Sequence, residues 1–259
     1  MNYMIAVQSD IGIKKNTNQD SGLIKVAETP LGKVCFCLIC DGMGGLSSGE
    51  LASATVVREF DRWFEKSLSG IITASGFDAD ELKLQWDNIV LEQNRILARY
   101  ASRKGTRMGT TICAVLFVGN EYYIMNVGDS RAYMIDQQVN LLTKDQTFVQ
   151  YEMDNGRMTW EEAKVHPQRN VLLQCCGASE VVTPDFYHGY IAPDQVYMVC
   201  SDGFRHVITA EEIYHQLNPM ILANEQIMNE NSVRLIELNK MRRETDNITV
   251  ALVRTCQGD

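Results

Sequence analysis

The sequence predicts an α+β protein in which antiparallel sheets carry helices on their outer faces. The first observation is the order of the predicted elements: blocks of strands are separated by pairs of helices, whereas a parallel α/β sheet alternates strand and helix. The second is the segment VCFCLIC at residues 34–40, which is apolar on both faces of a predicted strand. Such a strand belongs to a sheet that is covered on both sides.

Three strands and two helices are predicted in the first part of the chain. The strands are short runs rich in β-forming residues, at 3–8, 22–26 and 33–40. The helices run over about 48–68 and 78–102, and apolar residues recur in the second helix every three or four positions.

Strands return after this helix pair, and a second helix pair is predicted near the C-terminus. Four strands joined by short turns are predicted at 110–118, 121–127, 132–136 and 139–142. The pattern is irregular over 144–193, apart from a short helix near 159–164. Strands at 195–200 and 247–254 bracket helices at about 210–216 and 224–243. No repeat or Pro-rich linker divides the chain, so a single domain over 1–259 is expected.

Composition argues against several classes of function. The 259 residues carry a formal charge of −9 without a basic cluster, which disfavours binding to nucleic acid or an anionic membrane. The N-terminus does not resemble a signal peptide, and no apolar run approaches the ~20 residues of a membrane span. A cytoplasmic monomer with reduced cysteines is therefore expected. Cys37 and Cys40 form a C-x-x-C pattern within a predicted strand, where buried structural thiols are favoured over a redox pair.

The segment LICDGMGGLSSGELAS at 38–53 is the first candidate site, because an apolar run there meets a carboxylate and a glycine-rich loop. A phosphate-binding P-loop would need lysine where Glu50 stands. A dinucleotide fingerprint would need glycine where Ser47 stands. Asp41 beside backbone oxygens is instead the kind of oxygen site that Mg²⁺ or Mn²⁺ prefers.

Three other aspartates stand at predicted strand ends, next to glycine, asparagine or serine. Asp202 follows the strand at 195–200, Asp246 precedes the strand at 247–254, and Asp129 lies in a hairpin turn. Each of them singly is most often an ordinary turn residue. The four acids together indicate a divalent-cation site that reaches phosphate through its metal.

An ordered set of motifs then resembles a known family. The matching segments lie at 18–20, 41–45, 49–53, 108–111, 127–131, 142–145, 201–203 and 246–249. This set is similar to the PPM family, the metal-dependent serine/threonine protein phosphatases also called PP2C, and in particular to its compact bacterial branch. The resemblance extends from about residue 5 to 254. It implies a four-layer α-β-β-α sandwich of two antiparallel sheets flanked by helix pairs, with a flap segment at about 145–190.

The resemblance also implies roles for individual residues. Asp41 and the Gly42 carbonyl match the metal-bridging position, and Asp202 and Asp246 match further ligands of the first metal. Asp129, with Asp202, matches a third and weaker site. Two or three Mn²⁺ or Mg²⁺ ions are implied, with a metal-activated water that attacks phosphorus without a covalent intermediate. No cysteine has an arginine six positions later, as a cysteine-based phosphatase would need.

The first motif departs from the family pattern at two positions. Lys15 stands where the family has a phosphate-gripping arginine, and Gln19 stands where it has a metal-binding glutamate. Lysine loses the planar two-point grip on phosphate, and Gln19 predicts weaker binding of the second metal, for which Asp20 could compensate. Asn247 is a further candidate for substrate contact. Gln146 stands where many relatives have histidine, and glutamine cannot protonate a leaving group.

Three functions remain open at this point. A phosphatase acting on phosphoserine and phosphothreonine in proteins, with an implied Ser/Thr kinase partner, is favoured because Asp41, Asp202 and Asp246 are all present. A catalytically impaired regulator that binds a phosphoprotein or partner is the alternative suggested by Lys15 and Gln19. A hydrolase of small phosphoesters is disfavoured, because no base-stacking pocket is indicated.

Overall fold

Strands form two stacked antiparallel sheets in the computed structural model, which describes residues 1–44 and 48–258. In chain order the described strands are β1 (Asn2–Asp10), β2 (Asp20–Thr29), β3 (Gly32–Gly44), β4 (Ile72–Thr73), β5 (Gly76–Phe77), β6 (Met108–Thr110), β7 (Ile112–Val118), β8 (Glu121–Val127), β9 (Arg131–Ile135), β10 (Val139–Leu141), β11 (Asp185–Tyr190), β12 (Val196–Cys200) and β13 (Ile248–Cys256). The first sheet has the order β1-β13-β12-β9-β10. The second has the order β11-β8-β7-β3-β2, with β6 paired to β3.

Helices cover the outer face of each sheet. The described helices are α1 (Ser48–Lys66), α2 (Leu68–Ile71), α3 (Ala79–Lys104), α4 (Phe148–Asp154), α5 (Trp160–Val165), α6 (Asp202–Arg205), α7 (Ala210–Leu217) and α8 (Glu225–Met241). Apolar residues of α1 and α3 pack on the second sheet, and those of α7 and α8 pack on the first. The predicted four-layer α-β-β-α sandwich is confirmed.

Strand β3 shows why the sequence folds into layers. Its residues alternate between faces, as side chains of a strand must. Phe36 and Leu38 belong to the core under α1 and α3, while Cys37 and Ile39 belong to the core between the two sheets. The apolar run at 34–40 is therefore buried on both sides.

Aromatic side chains fill the core beneath α1 and α3. The Phe36 ring lies 5.6 Å from that of Trp63 and 5.8 Å from that of Trp86, centroid to centroid. Trp86 of α3 is fully buried. These contacts fix the helix pair against β3, the strand that carries Asp41.

The cysteines are free thiols, as expected for structural residues, and seven of the eight are buried. Cys37 lies in the core between the sheets and Cys40 in the core under the helices. Their side chains point to opposite faces because they lie three positions apart on a strand. The C-x-x-C pattern is therefore not a redox pair.

Several element boundaries differ from the prediction. Strand β3 continues to Gly44 instead of ending at Cys40, because Gly42, Met43 and Gly44 pair with β6. The segment predicted as one strand at 110–118 is divided into β6 and β7. Strand β11 and helix α4 lie where the sequence looked irregular, and α6 begins directly at Asp202. Gly45 and Ser47, which entered the motif analysis, lie outside the described residues.

Within the described part of the chain, no helix combines the length and apolar character that spanning a membrane requires.

Candidate metal centre

Strand pairing brings the first two carboxylates together. Asp20 at the start of β2 lies directly opposite Asp41 in β3. The other sheet is joined to them through Ser201, whose hydroxyl donates to Asp20 Oδ2 at 2.8 Å. The same hydroxyl oxygen accepts from the Thr249 backbone N–H at 3.0 Å. The acidic residues therefore lie close together where ends of the two sheets meet.

Four further carboxylates lie close enough to Asp41 for their charges to act on it. Burial raises the pKa of Asp41 well above its ordinary value, and the negative charges of Asp20, Asp202, Asp129 and Asp246 raise it further. Such a cluster is unfavourable without positive charge nearby, because each carboxylate disfavours ionisation of the others. A cation at this position would relieve the repulsion.

Two buried carboxylate oxygens in the cluster have no hydrogen-bond partner among residues 1–44 and 48–258. They are Asp20 Oδ1 and Asp202 Oδ1. An unsatisfied buried acceptor is costly, and a divalent cation coordinated by these oxygens would remove that cost. Burial raises the pKa of Asp20 to about 6; hydrogen bonds from Thr249 and Ser201 lower it, and the charges of Asp202 and Asp246 raise it.

Nevertheless, among residues 1–44 and 48–258 no group of three or more Asp, Glu, His or Cys side chains is arranged so that it could hold a metal ion. Mg²⁺-like ions usually keep several waters and take only one or two carboxylates from the protein. The donor set, with its unpaired oxygens, therefore fits divalent ions that remain partly hydrated.

Gly42 is required by a close approach of three backbone segments. Its N–H donates to the Gln19 carbonyl at 3.1 Å. A Cβ atom there would lie only 2.5 Å from that same oxygen and would also strike the Gly49 carbonyl. The preceding Asp41 carbonyl is already bonded to Thr111 N at 2.9 Å. Backbone packing therefore requires glycine at this position. The carbonyl of the same residue is the expected metal ligand.

Gln19 is buried beside the C-terminal end of β3. Its Nε2 donates to the Gly44 carbonyl at 3.3 Å, a bond that a glutamate in its place could not make. Its backbone N–H donates to Asn247 Oδ1 at 2.9 Å. The side chain thus stabilises the end of β3 and is also a neighbour of Asp20 and Asp41.

Asn247 does not have the surroundings expected of a substrate-binding residue. Its side chain is 2% exposed, and its Nδ2 donates to the carbonyls of Ile11 and Thr17 at 2.9 and 3.2 Å. Its Oδ1 accepts from Gln19, so all of its side-chain polar atoms hold the segment before β2. Asn247 therefore has a structural role, and its contact with substrate stays a prediction.

Lys15 carries the positive charge nearest to Asp246. Its Nζ lies 2.7 Å from Asp246 Oδ1, and both side chains are somewhat more than a third exposed. Burial lowers the pKa of Lys15, but the hydrogen bond to Asp246 and the charges of Asp246, Asp41 and Asp202 outweigh this and raise it. Lys15 therefore stays protonated at the rim of the acidic cluster.

Asp129 lies in the turn between β8 and β9, where it contacts Arg205, a residue that the sequence analysis did not single out. Arg205 Nη2 donates to the Asp129 carbonyl at 2.9 Å and lies 3.7 Å from its Oδ2. Burial and the charge of Asp202 raise the pKa of Asp129 to about 7, although Arg205 lowers it. The only signal for Arg205 in the sequence was its position three residues after Asp202.

Gln146 supports the same turn. Its Oε1 accepts from the Gly128 N–H at 2.9 Å, and its Nε2 donates to Asp185 Oδ2 at 3.0 Å. These bonds make it a structural link between the turn and β11.

Comparison with known proteins agrees with this architecture. The family profile described as protein phosphatase 2C matches residues 13–226. A protein phosphatase 2C-type protein of Streptococcus pyogenes is 32% identical over 254 residues, which are 96% of each chain. A serine/threonine phosphatase structure from S. agalactiae superposes with a TM-score of 0.80 at 31% identity, covering 98% of this chain and 100% of the other.

One solved relative also contains metal. The catalytic domain of the serine/threonine protein phosphatase PstP, in complex with two manganese ions, matches with a TM-score of 0.78 and 28% identity over 98% of this chain and 99% of that one. The fold and the acidic cluster together define a phosphatase with the four-layer α-β-β-α sandwich fold. The chain belongs to the protein phosphatase 2C family.

Proposed function

We propose that this protein is a Mn²⁺- or Mg²⁺-dependent phosphatase that hydrolyses phosphoserine and phosphothreonine in proteins. The observation that carries the proposal is the acidic cluster around Asp41, with the buried, unpaired oxygens of Asp20 and Asp202, in a member of the protein phosphatase 2C family. Bacterial serine/threonine phosphatases are its relatives in sequence and structure.

Asp41, Gly42, Asp20, Asp202 and Asp246 would hold two divalent ions. Bound ions of this kind acidify water and stabilise negative charge on a phosphoryl group. Side-chain carboxylates orient and neutralise the ions. The Gly42 carbonyl could approach an ion closely, because glycine has no side chain that would stand in the way.

Gln19 supplies no negative charge to the second ion, which we expect to bind less tightly than it would to glutamate. Lys15, held at the rim by Asp246, would attract the substrate phosphate as a single point charge. It lacks the two-point grip of arginine.

Water, rather than a side chain of this protein, would be the nucleophile. The cysteine next to the site, Cys40, is fully buried, and burial raises the pKa of its thiol well above the ordinary value. A thiol in this state is protonated and unreactive. No covalent phosphoenzyme is therefore proposed.

The remaining parts of the proposal concern the cellular setting. We take the chain to act as a single domain, with the flap at about 145–190 contributing to the choice of substrate. Its substrates would be phosphoproteins made by a Ser/Thr kinase, and the enzyme would act in the cytoplasm as a monomer.

Phosphate release from a phosphothreonine peptide, titrated with Mn²⁺, tests the activity. We expect release that depends on Mn²⁺ and disappears in Asp41→Asn, which keeps the side-chain volume but removes the charge. A small aryl phosphate measured in parallel should have a lower kcat/KM than the peptide. Absence of release from folded protein at millimolar Mn²⁺ would contradict the proposal.

A second candidate function is a regulator that binds a phosphoprotein through the same site with little turnover. Two contacts favour it: Lys15 is engaged by Asp246, and Gln19 binds the Gly44 carbonyl. The double variant Lys15→Arg, Gln19→Glu distinguishes the two. A rise in turnover of tenfold or more, from a barely active wild type, would support the regulator; an already active wild type would exclude it.

A further inference from the structure

Arg205 places a fixed positive charge beside Asp129, at the position expected to hold a third metal. Helix α6 begins at Asp202 and ends at Arg205, so the helix that positions one carboxylate also delivers the guanidinium. Besides its bond to the Asp129 carbonyl, Arg205 Nη2 lies 3.7 Å from Asp129 Oδ2. The Arg205 and Asp129 side chains are only 12% and 9% exposed.

Arg205 also takes part in a second ion pair. Asp145 Oδ2 lies 3.5 Å from Arg205 Nη2. Asp145 also accepts two bonds of 2.7 Å from Arg131, through Nε and Nη2. The cluster therefore contains two carboxylates, Asp129 and Asp145, and two guanidinium groups, Arg131 and Arg205.

The two guanidinium groups match the charges of Asp129 and Asp145, while the negative charge of Asp202 also acts on Asp129. Arginine stays protonated in proteins, so both positive charges are permanent. A divalent ion at Asp129 would stand close to the Arg205 guanidinium, and two positive charges in a region shielded from water repel each other strongly. The donor set at Asp129 therefore does not fit a third divalent ion.

Asp202, the other carboxylate expected at the third site, is also partly engaged. Its Oδ2 lies 3.3 Å from His206 Nε2, and the other nitrogen of the same ring lies 3.4 Å from Glu244. Among the described residues Asp202 Oδ1 has no hydrogen-bond partner, and the proposed first metal site would take up this carboxylate. Neither carboxylate thus offers a third ion a free, uncompensated pair of oxygens.

We propose that Arg205 takes the place of a third divalent ion at Asp129, so that this chain binds two ions and no more. The inference rests on the proposed function, because it concerns the same metal centre. Arg205 acts here as a positioning residue: it fixes the Asp129 turn and neutralises its carboxylate without contacting substrate.

Equilibrium dialysis against Mn²⁺ up to several millimolar, with the number of bound ions counted per chain, tests the proposal. Wild type should bind two ions. Arg205→Met, which keeps the length of the side chain but removes its charge, should bind one additional, weaker ion. Arg205→Lys should keep the count at two, because it keeps the positive charge.

Arg254→Met is the matched control. Arg254 is a similarly buried arginine, 15% exposed, and pairs with Asp194 on a distant turn. This variant should bind two ions. The ion gained by Arg205→Met should disappear again when Asp129→Asn is added, because Asp129 is its only new carboxylate ligand.

Three results would overturn the inference. They are a third ion in wild type, a folded Arg205→Met that still binds two, and a loss of one ion in the single variant Asp129→Asn. The last result does not depend on whether an arginine variant folds, because it uses Asp129→Asn alone. Wild type that binds no Mn²⁺ would instead contradict the proposed function itself, so the two failures are distinguishable.

Discussion

Replacing Asp20 by asparagine should stabilise the protein without metal and weaken its response to metal. The asparagine keeps an acceptor for the Ser201 hydroxyl, which now binds Asp20 Oδ2 at 2.8 Å. The substitution removes a buried negative charge, one oxygen of which, Asp20 Oδ1, has no hydrogen-bond partner among the described residues. This one variant therefore separates the effect of the buried charge on stability from the effect of bound metal on stability.

The magnitude follows from the pKa of Asp20. Burial raises it from 3.8 to about 6 in the folded protein, which corresponds to about 3 kcal/mol between the charged and neutral forms. The folded state binds the proton more tightly than the unfolded state, so stability decreases as pH rises from about 4 to about 6. Asp20→Asn should abolish this decrease and be more stable than wild type by up to about 3 kcal/mol at pH 7.5.

Urea unfolding in EDTA and in Mn²⁺, at pH 4.5 and 7.5, measures both effects. In EDTA the advantage of Asp20→Asn should be large at pH 7.5 and small at pH 4.5. In Mn²⁺ at one hundred times its dissociation constant, wild type should gain about 2.7 kcal/mol. Asp20→Asn should gain much less, because one ligand charge is missing.

The surface residue Asp194 supplies the control. It is 70% exposed beside Arg254, and its φ of 61° suits asparagine. Asp194→Asn should change stability by no more than about 0.5 kcal/mol and equally in both solutions. If Asp20→Asn lowers stability by the same amount with and without Mn²⁺, Asp20 is only a structural acceptor and the assigned role is wrong.

Three further predictions concern the scaffold. Gly42→Ala should cost about 3 kcal/mol in urea unfolding, because its Cβ would strike the Gly49 carbonyl; unchanged stability would refute the packing argument. Trp86→Ala should cost about 3–5 kcal/mol, since this side chain is fully buried, and a loss below about 1 kcal/mol would contradict it. The hydrogen bond from Arg242 lowers the pKa of Glu212 to about 2, so its stabilising effect is present above about pH 4.5 and lost as pH falls through about 2. Arg242→Met should raise the Glu212 pKa, measured by NMR titration, towards its ordinary value, and an unchanged value would exclude this cause.

The layered fold was predictable because its signals are local. Alternation along β3 and helical periodicity in α3 appear within short windows of sequence. Strand β11 was missed because it is a short edge strand, and its half-exposed residues show little alternation. The extension of β3 through Gly42 was missed because it pairs with β6, a strand that lies far away along the chain.

The acidic residues of the site were predictable, but their partners were not. Aspartates at strand ends and the family resemblance identified Asp41, Asp202, Asp246 and Asp129. The register that sets Asp20 opposite Asp41 depends on strand pairing, which the residues alone do not specify.

Long-range side-chain contacts also could not be predicted from the sequence. Arg205 meets Asp129 across 76 positions. Asn247 reaches back to Ile11 across 236, a structural contact that its position in the motif did not indicate.

The central claim is that the acidic cluster holds the ions that make this protein a phosphatase. Its most direct test is phosphate release from a phosphothreonine peptide by EDTA-treated protein, before and after Mn²⁺ is restored, for wild type and Asp202→Asn. We predict no release in EDTA, recovery of wild type in Mn²⁺, and at least a hundredfold lower rate for Asp202→Asn. Release that persists in EDTA, or equal rates for the two proteins in Mn²⁺, would contradict the claim.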